Sequence, residues 1–138
     1  MRVAVVFAPE RADTTLTAMA RELARALQAK GHFVDIAEAK SGEAHRLTGY
    51  DYVIVGTAPV GLRGNIPPRL GDFLAQSGAL QGKRAMAFVR KSGLSSAKAL
   101  KRLMTVMESE GMIVNYAVII ASIQDAAEAA RGAPLERN

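Results

Sequence analysis

At 138 residues the chain is long enough for one compact domain with a real core, and none of its apolar runs approaches the ~18 residues a membrane helix needs. Cysteine is absent, which excludes disulfides, thiolate metal ligands and cysteine nucleophiles. The formal charge of +5 is uneven: residues 60–102 carry nine basic side chains against Asp72 alone, while residues 1–59 balance seven against seven.

The elements follow in chain order. Val3 to Phe7 is a continuous apolar run of strand length, as expected for a strand covered on both faces. Leu16, Met19, Ala20, Leu23, Ala26 and Leu27 then recur at helical spacing, and Lys30-Gly31 marks the end of that helix. His32 to Ala37 reads as a second strand, Ser41 to Thr48 as a short helix, and Tyr50 to Gly56 as a third strand. A helix is expected to open near Asn65 or Ile66, where two prolines suit a first turn, and to run to Gly78. Lys83 to Arg90 is the fourth strand. Ser95 or Ser96 opens a helix ending at Gly111, with Leu103 and Met107 on its inward stripe. Met112 to Ala121 is the fifth strand, and Ser122 starts an alanine-rich helix with Asp125 placed for a capping contact.

Strands alternating with helices require a parallel sheet covered on both faces. The expectation is a three-layer α/β/α sandwich, five-stranded in the order 2-1-3-4-5, forming a single domain over residues 1–132 with a frayed tail at 133–138. In such sheets ligands sit beyond the carboxyl ends of the strands, where the order reverses. Here that means residues 8–14 and 57–66, with the 90–96 turn beside them. The opening apolar run is too short for a secretory signal, so a cytoplasmic location is expected.

The stretch GYDYVIVGTAPVGLRGNIPPRLGDFL at residues 49–74 resembles the flavodoxin family, and KGHFVDI at 30–36 is similar to that family's second strand. The resemblance runs over nearly the whole chain. It implies an electron-transfer flavoprotein, an oxidoreductase role, and FMN held by three turns. The family's phosphate loop has the form [Ser/Thr]-x-Thr-Gly-x-Thr. It falls on Pro9 to Thr14, where only Thr14 agrees; Pro9, Arg11 and Ala12 stand at the other defined positions. Pro9 removes a backbone donor and Ala12 disfavours a positive φ. Glu10 and Asp13 bring negative charge towards a phosphate, whereas Arg11, Thr14, Thr15 and a helix N-terminus favour one. Asp13 or Thr14 can equally serve as the helix N-cap and nothing more.

The resemblance therefore assigns FMN to Glu10, Arg11, Ala12, Asp13, Thr14 and Thr15 around the phosphate. Around the ring it assigns Thr57, Ala58, Pro59, Val60, Gly61 and Leu62 from the second turn and Lys91, Ser92, Gly93 and Leu94 from the third. Neither ring turn contains an aromatic residue, so binding is expected to be weak, with Leu62 and Leu94 as apolar substitutes. Arg11, Arg63, Arg90 and Lys91 make the mouth positive. This departs from the acidic balance common in electron-transfer flavodoxins and favours a redox partner with an acidic surface. The competing reading is a flavin-free interaction module that uses the basic face on an acidic protein or on nucleic acid. His32 and His45 lack metal-ligand spacing, and a Gly-x-Gly-x-x-Gly dinucleotide turn is missing.

Overall fold

The computed structural model describes residues 1–40, 46–78 and 80–135. Its elements are β1 (Arg2–Ala8), α1 (Thr14–Ala29), β2 (Phe33–Glu38), β3 (Tyr52–Thr57), α2 (Pro68–Ala75), β4 (Arg84–Arg90), α3 (Ser96–Ser109), β5 (Ile113–Ile120) and α4 (Ile123–Gly132). The sheet order is β2-β1-β3-β4-β5, and every pairing is parallel. The order reverses between β1 and β3, as the sequence predicts.

Strand alternation sorts the core into two layers. Val3, Val5, Phe7, Tyr52, Ile54, Met86 and Phe88 pack against α1 and α4. Ala4, Val6, Val53, Val55, Ala85, Ala87 and Val89 pack against α2 and α3. Gly56 sits beside Phe88 in the β3–β4 register. A Cβ on Gly56 would fall 2.0 Å from the Phe88 ring, so the glycine makes room for the aromatic. The β4–β5 register shifts between Ala85 and Met86 and skips Asn115. Asn115 there accepts a hydrogen bond of 2.6 Å from the hydroxyl of buried Tyr52.

Two expectations change. The helix expected from Asn65 or Ile66 to Gly78 is α2, Pro68–Ala75 with Pro67 as its cap; Asn65 is engaged instead in an isolated antiparallel bridge with Val60. The helix expected over 41–48 lies mostly outside the described residues, as does His45; of it, residues 46–48 are not helical. Four helices are present among the described residues, and none is long and apolar enough to cross a membrane. Of the expected frayed tail, 136–138 lie outside the description, while Leu135 is buried against the α1–α4 layer.

Candidate functional site

The carboxyl ends of β1, β3 and β4 bring the three turns together. Asp13 is the N-cap of α1, and its Oδ1 accepts the Leu16 N–H at 2.9 Å. Such a cap stabilises a helix by about 1 kcal/mol. Oδ2 of the same carboxylate accepts from Arg90 Nε at 2.8 Å. Arg90 reaches it because β4 alternates Met86, Phe88, Arg90 towards the α1 layer, ending just past the core. An internal carboxylate thus takes up both a first-turn donor and the nearest strand-end cation.

The remaining donors are open. Thr14 and Thr15 N–H groups make no hydrogen bond among the described residues. The described ion pairs are Arg25–Glu22 and Arg90–Asp13, which leaves the exposed Arg11 outside any pair. All described residues with positive φ are glycines, so Ala12 does not take the backbone form that a glycine at that position permits. Pro9 is buried, and Glu10 projects into solvent.

Glu10 to Thr14, Ala58, Pro59 and Arg90 line a cavity of about 390 Å³. The same turn also lines a groove of about 760 Å³ along α1, together with Arg21, Arg25, Glu38 and Arg69. Both volumes lie in the range of small-molecule sites, about 300–1,000 Å³. The sequence reading missed the α1 wall of this groove. Its signal was present: Thr14, Ala18, Arg21 and Arg25 recur at helical spacing off the core stripe.

The other assigned residues are placed less favourably. Thr57 is fully buried, and its hydroxyl donates to Ala8 O at 2.6 Å, tying β1 to β3 instead of facing a ligand. Thr15, Gly61, Leu62, Lys91, Ser92, Gly93 and Leu94 lie outside the lining of the smaller cavity, and Val60 turns towards a different groove. Leu62 and Leu94 stand free at the two turn tips, 97% and 103% exposed. Gly61 and Gly93 there have φ of 70° and 59°, conformations that favour glycine. Ser96 Oγ accepts the Ser92 N–H at 2.8 Å, which fixes the third turn on α3.

This geometry defines a flavodoxin-like fold. No family model and no curated protein matches the sequence. Solved structures do. The chain is similar to oxidised flavodoxin 1 from Bacillus cereus, with a TM-score of 0.75 at 18% identity over 95% of each chain. It is also similar to oxidised flavodoxin 2 of the same organism, with a TM-score of 0.75 at 19% identity over 92% of this chain and 94% of that one. Two-electron reduced flavodoxin from Megasphaera elsdenii gives a TM-score of 0.68 at 20% identity, over 94% of this chain and 99% of that one.

Proposed function

We propose that this chain is an electron-transfer protein that binds FMN, weakly, across the three turns at the carboxyl ends of β1, β3 and β4. The observation that carries this reading is the joint lining of one cavity by the first turn, the Ala58-Pro59 turn and Arg90. It is supported by the likeness of the fold to flavodoxins over nearly the whole chain.

The residues fit the group in part. The open N–H groups of Thr14 and Thr15 at the positive end of α1, with Arg11 beside them, suit a phosphate. Asp13 opposes it by placing a carboxylate on the same helix end. Leu62 and Leu94 offer apolar cover to a ring but no aromatic stacking, which is worth about 1–3 kcal/mol per base in nucleic-acid sites. When bound, the flavin supplies the redox chemistry; the protein's share is to hold it and tune it through backbone groups. These two deficits account for weak binding.

The test is a fluorescence titration of FMN and of riboflavin against the purified chain. Saturable quenching by the chain, with FMN preferred over riboflavin, is expected. A colourless protein indifferent to both at millimolar concentration would end the flavin reading in favour of a flavin-free interaction module.

A further inference from the structure

Basic side chains are concentrated between residues 60 and 102. Arg63, Lys91, Lys98, Lys101 and Arg102 are all exposed, in a segment where Asp72 is the sole acid. Beside them a groove of about 650 Å³ runs between the 60–66 turn and α3. Val60, Ile66, Pro68 and Val106 give it an apolar lining, completed by Asn65, by Arg102 and Thr105 on α3, and by the carboxylate of Glu10.

The groove is preformed. The Val60 N–H donates to Asn65 O at 2.7 Å, closing the turn. Arg102 Nη1 donates to Asn65 Oδ1 at 2.8 Å, fastening the turn to α3. Gly64, with φ of 73°, lies so close to the helix that a Cβ there would fall 2.6 Å from Lys98 Cβ and 2.9 Å from Ser95 O. A wall fixed at three points spares a ligand the ordering cost that a mobile loop imposes.

We infer that this groove receives an acidic segment of a partner protein. An apolar side chain of that segment seats on Val60, Ile66 and Val106 while its carboxylates meet Arg102 and the lysines of α3. An apolar floor with Arg102 in the lining, and with exposed Lys98 and Lys101 on the same helix outweighing the single carboxylate of Glu10, matches that combination of anchor and charge. Nucleic acid fits less well, because the two aromatic residues of this segment, Phe73 and Phe88, are buried and offer no stacking face. The inference rests on the redox reading and extends it by naming the partner's chemistry; Lys98, Lys101, Arg102 and Thr105 lie outside the residues assigned to flavin, whereas Val60 and Glu10 are shared with them.

A random peptide display library selected on the full chain tests it. Enriched peptides are expected to combine Asp or Glu with a Leu, Ile or Phe. In anisotropy, a synthetic enriched peptide should lose about tenfold in affinity on Thr105→Glu, an exposed position where the added acid repels the segment. Arg102→Gln, which keeps an amide donor for Asn65, should weaken binding several-fold and flatten its salt dependence. FMN titrations of both variants should match the parent, so that a failure of the flavin reading and a failure of this one are separable. Enrichment without acidic bias, affinity unmoved by Thr105→Glu, or displacement of the peptide by equimolar oligothymidylate would overturn the inference.

Discussion

Replacing Asp13 by asparagine separates its structural role from its electrostatic one. Asparagine keeps an oxygen for the Leu16 N–H, so the cap at 2.9 Å survives in kind. What is lost is the charge, and with it the pair to Arg90. The pair is partly exposed, with 25% of the Arg90 side chain and 17% of that of Asp13 accessible. Screening at that exposure limits its worth to about 0.5–1 kcal/mol. The carboxylate's interaction with the helix dipole adds about 0.3–1 kcal/mol. Asp13→Asn should therefore destabilise the chain by about 1–1.5 kcal/mol and leave it folded.

The effect on ligand runs the other way. A phosphate dianion about one helical turn away, ~5–6 Å, repels the carboxylate by about 1.4 kcal/mol even at the dielectric constant of bulk water. Removing that repulsion should tighten FMN by about tenfold, with Arg90 freed as a further cation. Riboflavin, which has no phosphate, should bind the variant and the parent alike. Parallel fluorescence titrations of both ligands against both proteins read the difference directly. If FMN and riboflavin shift together, or if FMN weakens, Asp13 is not a competing anion and orients Arg90 for the ligand instead.

Three further outcomes are expected. Gly56→Ala forces a Cβ to 2.0 Å from the Phe88 ring and should cost about 1–3 kcal/mol in urea unfolding, partly recovered by Phe88→Leu. Leu94→Trp adds a stacking face at a fully exposed turn tip and should tighten both flavins by about tenfold or more, with little change in stability. Burial pushes the Tyr52 phenol well above its ordinary value, the charge of Arg84 opposing only in part. The folded state thus holds this proton more tightly than the unfolded one. The associated stability is fully present below about pH 10 and is lost as pH rises further. In an alkaline titration one tyrosinate absorbance step should coincide with loss of far-ultraviolet dichroism, and Tyr52→Phe should remove that coincidence.

The fold was legible because its signals are local and repeated. Apolar runs such as Val3 to Phe7 and the stripe from Leu16 to Leu27 each fix an element, and alternation of the two types leaves few topologies. The start of α2 was misplaced because Asn65 has good cap chemistry, yet its backbone is taken by the bridge to Val60, a pairing that no local pattern announces. That the first turn, the Ala58-Pro59 turn and Arg90 meet was legible from the strand order, their side-chain contacts less so. Asp13 was readable as a cap from its place before an apolar stripe. Its second bond to Arg90, 77 residues away in sequence, depends on how β4 is registered against β3. Thr57 looked like a ligand hydroxyl, but burial at a strand end turns it to the nearest free carbonyl, that of Ala8.

A single flavin bound as proposed, across all three turns, must perturb all three. Adding FMN to isotopically labelled protein and following its amide resonances tests that most directly. Saturable shifts are expected at Arg11 to Thr15, at Ala58 to Leu62 and at Lys91 to Leu94, with α4 and the amino ends of the strands unmoved. Shifts confined to the exposed cations of α3, or none at millimolar FMN, would contradict it.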